Sequence, residues 1–158
     1  MPDEMALLVA DVYEAAGLLR RSGQAVAAAE GQTQARWQLL SVVSESPLSV
    51  ARAARRLGVS RQGTQRVAND LVREGLAAFQ ANPDHRSSPL LALTSAGEET
   101  LRRITARAAE VHDVLTQGIE PDEIAAARAL LHRLIDQVRR HEDENDENED
   151  GGDGRRGR

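Results

Sequence analysis

Residues 49–94 read SVARAARRLGVSRQGTQRVANDLVREGLAAFQANPDHRSSPLLALT, and this stretch decides the fold. Apolar residues recur at helical spacing up to Leu57, and Gly58 follows where a helix end favours a residue that tolerates positive φ. Two residues later Ser60 can accept a backbone N–H bond as the N-cap of a second helix, which we predict over Arg61–Glu74. Two helices joined by so short a turn predict a helix-turn-helix.

The second predicted helix has two faces of different chemistry. One face is apolar, and the other carries arginine and amide side chains without an acid. Arginine forks onto guanine, glutamine and asparagine pair with adenine, and further arginines hold phosphates, so this face suits the major groove of duplex DNA. The DNA-binding residues predicted in this segment are Ser60, Arg61, Gln62, Thr64, Gln65, Arg66, Asn69 and Arg73.

A division of labour is expected along this polar row, defined as Arg61, Gln62, Gln65, Arg66, Asn69 and Arg73. The amides and Arg66 lie at the centre and should face base edges, whereas the two arginines near the helix ends are better placed for phosphates. The alternative is an ordinary solvated helix face. A surface helix of a net-acidic protein usually includes Asp or Glu, which favours the DNA-binding interpretation.

After the second helix the pattern becomes extended. Leu76–Gln80 and Pro89–Leu93 flank a polar turn that begins Asn82-Pro83-Asp84, so residues 76–93 are predicted to form the hairpin wing of a winged helix. Arg86 at the tip can reach a minor groove, and we expect the Asp84 carboxylate to hold its guanidinium. The alternative is an exposed turn with incidental charges.

These segments together resemble the MarR family of bacterial transcriptional regulators, in order and in spacing, over about residues 5–140. The most specific signals are the Asp84-x-Arg86 motif and a Leu-Thr-x-x-Gly entry to the next helix. The resemblance implies an obligate homodimer that binds pseudo-palindromic operators, most often as a repressor released by a small ligand or an oxidant. It also implies an effector cleft, which Tyr13 and Trp37 could line; equally, both could be core anchors. The segments that carry the resemblance are TQARWQLL (33–40), LSVARAARRLGVSRQGTQRVANDLVREGL (48–76), NPDHRSS (82–88) and LALTSAG (91–97).

Composition narrows the function further. A chain of 158 residues with 41% hydrophobic residues fits one domain with a modest core. Its three aromatic residues are too few for stacking on single-stranded nucleic acid, and the absence of cysteine excludes a thiol switch. No catalytic set, metal-ligand spacing or cofactor motif is present, so we expect neither an enzyme nor a cofactor. No apolar run approaches about 18 residues and no signal peptide is evident, so a cytoplasmic protein without membrane contact is expected.

The net charge of −5 conceals a positive segment. Residues 142–153 hold 8 of the 25 acids, so residues 1–141 balance 17 arginines against 17 acids. Residues 48–88 contain seven arginines and three acids, a net charge of +4. The predicted DNA-binding segment is therefore positive within an acidic chain.

The remaining segments are predicted to be mainly α-helical. Residues 1–32 should form an N-terminal dimerisation helix that breaks within 23–32, and residues 33–94 the winged helix-turn-helix lobe. Residues 95–141 should form C-terminal dimerisation helices, the first starting with a capping box and the last at Pro121, while residues 142–158 should be a disordered acidic tail. The capping box pairs Ser95 with Glu98, and the apolar rows that should meet a second subunit include Met5, Leu8, Val12 and Leu19 in the first helix and Ile124, Leu131, Leu134 and Val138 in the last.

One other class of function remains open at this stage. A winged helix can serve as a protein-interaction module, in which case the polar row would contact an acidic partner instead of DNA. The arginine at the wing tip argues against this alternative, and a steep salt dependence of binding to duplex DNA would separate the two.

Overall fold

The computed structural model describes residues 3–150, and it is mainly α-helical with a small three-stranded antiparallel sheet. This confirms the predicted fold class. The chain divides into two compact units, the first ending at His112 and the second beginning at Asp113. The elements in chain order are α1 (Glu4–Ala28), α2 (Gln34–Glu45), β1 (Leu48–Ser49), α3 (Val50–Leu57), α4 (Arg61–Arg73), β2 (Ala77–Gln80), β3 (Leu90–Leu93), α5 (Ser95–Leu115) and α6 (Pro121–Asp150).

The helix-turn-helix forms where the sequence predicts it. Helix α3 ends at Leu57, and Gly58 takes the left-handed conformation with φ 66°. The Ser60 hydroxyl accepts a hydrogen bond from the Gly63 amide at 3.0 Å and so caps the start of α4. Helix α4 ends at Arg73, with Glu74 as its C-cap, one residue earlier than predicted. We call α4 the recognition helix.

The sheet has one strand more than the predicted hairpin. Its order is β1-β3-β2. The two-residue strand β1 pairs with the edge of β3 that faces away from β2. Leu91 stands opposite Leu48 on one side and Phe79 on the other, and it is fully buried. A two-residue strand carries no periodicity, which is why the sequence did not indicate it.

Two apolar clusters hold the first unit together. The larger one joins α2, α3, α4 and the sheet around Leu40, Leu71 and Leu91, all of which have no exposed surface. The smaller one brings Val26 of α1 together with two residues of α5, Ile104 and Ala108, and Trp37 and Val111 pack against it.

The first helix breaks within residues 23–32, as predicted, but the break comes only after Ala28, so the helix runs through Gly23. A glycine inside a helix costs only about 1 kcal/mol, and here it has a packing role. A Cβ on Gly23 would lie 3.4 Å from the Trp37 ring and 3.1 Å from Gln34 Cγ, so the bare glycine lets α2 pack closely against α1. The chain turns after the helix, where Gly31 has φ 70°.

The start of α5 is built differently from the predicted capping box. The Gly97 amide donates to Thr94 Oγ1 at 3.1 Å, so Thr94 is the capping residue instead of Ser95. The Thr94 hydroxyl also donates to the carbonyl of Gly75 at 2.6 Å. This second bond spans the base of the wing, and it explains why a threonine stands at this position.

Two ion pairs connect the turn after α1 to helix α5. The Glu30 carboxylate accepts hydrogen bonds from Arg107 Nε at 2.6 Å and from Arg103 Nε at 2.9 Å. These bonds, Arg107 first, hold the pKa of Glu30 below its ordinary value. Because the folded-state pKa is lowered, the contact stabilises the fold above the ordinary carboxyl pKa and is lost as the pH falls.

The second unit consists largely of α6, which begins at Pro121 as predicted and runs to Asp150. The predicted disorder is therefore wrong for residues 142–150, while residues 151–158 lie outside the described part of the chain. Glutamate is a good helix former, and lengthening an existing helix needs no new nucleus. The apolar row of α6 is exposed in the single chain, for example Leu131 at 39% and Ile135 at 45%.

We expect Gly97→Ala to destabilise the first unit. Gly97 is buried, and a Cβ there would lie 1.9 Å from the carbonyl oxygen of Leu76, a backbone atom that cannot rotate away. Such overpacking costs about 2–3 kcal/mol, which chemical denaturation would measure. Gly17→Ala is the matched control, because nothing lies within 4 Å of its Cβ position and alanine is the better helix former. Equal stability of the two variants would contradict the close contact.

Candidate nucleic-acid interface

The structure exposes the polar row of the recognition helix. Arg61, Gln62, Gln65, Arg66, Asn69 and Arg73 are all solvent-exposed. Thr64 is not part of this surface, because it is 4% exposed and its hydroxyl donates to the Ser60 carbonyl at 2.8 Å. Its assignment as a DNA contact is therefore corrected to a structural role. Ser60 is exposed, but its hydroxyl oxygen already serves as the N-cap.

The two acids at the C-terminal end of the recognition helix pair with an arginine of α2. Arg36 pairs with Glu74 at 2.6 Å and with Asp70 at 3.6 Å, and its own side chain is only 20% exposed. Asp70 also pairs with Arg73 at 2.8 Å, although the Arg73 side chain stays 73% exposed. Sequence reasoning did not single out Arg36, because its partners lie more than 30 positions away and no local spacing relates them.

Two arginines of the polar row are left without an acidic partner. Among the side chains that the structure describes, in residues 3–146, neither Arg61 nor Arg66 forms an ion pair. Helix α3 adds exposed positive charge with Arg52 and Arg55, whereas Arg56 pairs with Glu45 at 3.0 Å. The helix-turn-helix therefore presents unpaired guanidinium groups to solvent, which suits binding to a polyanion.

At the centre of the row, two amide side chains are already coupled. Gln65 Nε2 donates a hydrogen bond to Asn69 Oδ1 at 3.0 Å across one helical turn. The sequence placed both residues on the same face, but it did not show that they bind each other. Their amide planes are thus oriented before any ligand is present.

The wing tip is a compact turn stabilised by Asn82. Its side chain donates to the Ser88 carbonyl at 2.9 Å and accepts from the Asp84 amide at 3.1 Å. The predicted ion pair between Asp84 and Arg86 is absent from the described structure, because the segment is a turn and not the extended strand that would place both side chains on one side. Both residues are exposed, and Arg86 forms no ion pair with the described side chains of residues 3–146.

The two residues proposed for an effector cleft are not brought together in the first unit. Trp37 packs against the smaller apolar cluster and against Gly23 of α1. Tyr13 is 76% exposed and lies ten residues before Gly23 on the same helix, a separation of about 15 Å. The packing of Trp37 corresponds to the alternative reading of this residue as a core anchor.

The sequence of this chain is similar to a known protein family and to two mycobacterial proteins. A family model described as the MarR family matches residues 31–86. An uncharacterized protein of Mycobacterium tuberculosis and one of Mycobacterium bovis are each 62% identical over 135 residues, which is 85% of this chain and 94% of theirs. No helix among the described residues combines the length and the apolar character needed to cross a membrane.

Solved structures share the fold. A mutant of the Escherichia coli MarR protein, complexed with operator DNA, matches with a TM-score of 0.70 at 20% identity, covering 83% of this chain and 95% of that one. The PcaV transcriptional regulator of Streptomyces coelicolor, in complex with its natural ligand, matches with a TM-score of 0.63 at 25% identity, covering 78% and 90%. The chain belongs to the MarR family, and it has the fold and domain of a MarR family transcriptional regulator.

We expect Arg86→Ala to weaken binding to duplex DNA without changing the melting temperature. The guanidinium is exposed and has no partner to lose, whereas its loss from a groove or phosphate contact costs about 1–3 kcal/mol. Asp84→Ala is the matched control at the same turn. Since Asp84 does not hold Arg86, its removal should leave the affinity unchanged or raise it by removing a negative charge. Fluorescence anisotropy at about 0.15 M salt measures both, and parental affinity in Arg86→Ala would exclude the wing tip as a DNA contact.

Proposed function

We propose that the protein is a homodimeric transcriptional repressor that binds a pseudo-palindromic operator in double-stranded DNA in the cytoplasm. The observation that carries the proposal is the exposed polar row of α4, whose arginines at positions 61 and 66 are unpaired and whose neighbouring acids are held by Arg36. The operator complex of the Escherichia coli protein, which has the same fold, supports transferring this function.

The chemistry of the row sets how DNA would be bound. The recognition helix enters the major groove, where arginine matches the acceptors of guanine and amides match adenine. Arg61 and Arg73 near the ends contact phosphates, and Arg86 of the wing reaches the adjacent minor groove. Because Arg36 and Arg73 together offset the charges of Asp70 and Glu74, the repulsion of these two acids toward the phosphates is reduced.

The proposed dimer is based on apolar side chains of α1 and α6 that are exposed in the single chain. In α1, Val12 is 40% and Leu19 58% exposed; in α6, Leu131 is 39% and Val138 53% exposed. Rows of this kind at helical spacing are normally buried against another helix, and a second copy of the chain supplies one. A two-fold dimer reads half-sites about one helical turn, or about 34 Å, apart.

Release by a small-molecule effector is the regulatory part of the proposal. The structure of the PcaV transcriptional regulator in complex with its natural ligand supports the ligand-binding part of this proposal. The sequence contains no cysteine, so a signal cannot act through thiol oxidation here. Neither Tyr13 nor Trp37 is retained as a ligand residue, because one is packed in a cluster and the other lies far along α1.

Selection of bound sequences from a random duplex pool tests the proposed function. We expect enrichment of an inverted repeat, and an affinity that falls about 1000-fold between about 50 and 200 mM salt because phosphate contacts release counterions. A protein that enriches no sequence and binds duplexes without salt dependence would instead support the alternative, a winged-helix module for protein interaction.

Leu131→Asp should separate the dimer and abolish operator binding together. A carboxylate on the exposed apolar row of α6 would have to be buried in the proposed interface, which is unfavourable by several kcal/mol. Analytical ultracentrifugation and operator binding at the same concentrations measure the two effects. Ala129→Asp, which adds the same single charge on the opposite face of α6, serves as the control. A parent protein that is monomeric while it binds the operator tightly would refute the dimer.

A further inference from the structure

We infer that Gln65 and Asn69 form a single adenine-reading unit, in which Gln65 contacts the base and Asn69 positions it. The inference rests on the proposed function, since it requires α4 to lie in the major groove. It is carried by the hydrogen bond from Gln65 Nε2 to Asn69 Oδ1, 3.0 Å long, between two exposed side chains at the centre of the polar row.

The atoms of a glutamine amide allow both contacts at once. Adenine offers N7 as an acceptor and the N6 amino group as a donor, and an amide matches them with one N–H and its carbonyl oxygen. An amide nitrogen carries two hydrogens. The base uses the hydrogen on the same edge as the oxygen, so the other hydrogen remains for Asn69. Gln65 can therefore bind Asn69 and an adenine simultaneously.

The same bond assigns a different role to Asn69. Its carbonyl oxygen already accepts a hydrogen bond from Gln65, so Asn69 is placed to hold the Gln65 amide. A glutamine side chain has several rotatable bonds and loses their freedom when it binds a base. Asn69 already restricts the Gln65 side chain in the free protein. Less conformational entropy is therefore lost when Gln65 binds the base. Asn69 is thus a positioning residue, and the pair favours adenine at one position of each half-site.

A purely structural role for the pair makes different predictions. Amide pairs one turn apart can stabilise a helix slightly, which would affect the melting temperature and not the preference for a base. Gln62 offers a comparison within the same row, because it is exposed and makes no hydrogen bond to another side chain in the described structure. Any coupling specific to Gln65 should be absent at Gln62.

The test is a double-mutant cycle on the operator obtained by random selection. At each adenine that the parent requires, the base is replaced by 7-deazaadenine, which lacks N7, or by purine, which lacks the amino group. We expect Gln65→Ala to remove about 10–100-fold discrimination at one such position. Asn69→Ala should reduce discrimination at the same position by about 3–10-fold in the parent, and cause no further loss in Gln65→Ala.

The control is a second cycle with Gln62→Ala and Asn69→Ala, in which the fold-changes in adenine discrimination should simply multiply. All variants should keep the parental melting temperature. Independent effects of Gln65→Ala and Asn69→Ala would overturn the positioning role. Full adenine preference in Gln65→Ala would overturn the base contact. A parent protein that enriches no operator would refute the proposed function, and the inference with it, so the two failures are distinguishable.

Discussion

The base of the wing is the constraint on which the winged helix-turn-helix depends. The chain leaving α4 and the chain entering α5 meet there at Leu76, whose carbonyl accepts a hydrogen bond from the Thr94 amide at 3.1 Å. Thr94 also binds the Gly75 carbonyl and caps α5, and Gly97 lies so close to Leu76 that no side chain fits. One hydroxyl therefore closes the hairpin and begins the next helix. The Leu-Thr-x-x-Gly motif carries the family resemblance, and its threonine and glycine also make the contacts of this junction.

The placement of ion pairs explains how a protein of net negative charge can have a positively charged surface on its helix-turn-helix. On the recognition helix, Asp70 and Glu74 are turned toward Arg36 of α2, which holds them in a partly shielded network. Arg61 and Arg66 stay unpaired. The ion pairs at the surface contribute little stability by themselves. Their larger effect is to fix which charges face solvent, and hence the sign of the surface that a nucleic acid would meet.

Preorganisation recurs at the proposed contact points. Asn82 ties the two sides of the wing tip together, and Asn69 ties down Gln65 on the recognition helix. In both places a short amide restrains polar groups before a ligand binds, which lowers the entropy lost on binding. The predicted ion pair of Asp84 with Arg86 would have restrained a third polar group in the same way. It is absent from the described structure. Arg86 is exposed on this turn and forms no ion pair with a side chain that the structure describes.

The sequence by itself determined the local features: the helix ends at Gly58 and Ser60, the hairpin around Asn82, and the polar row of α4. Each depends on residues within a few positions of one another, where backbone sterics, capping and periodicity act directly. The tertiary structure decided what depends on distant partners. It added β1, buried Thr64 and continued α1 through Gly23 to Ala28. It also paired Asp70 and Glu74 with Arg36. Contacts between residues tens of positions apart are set by packing and by which charges find each other, and no local pattern records them.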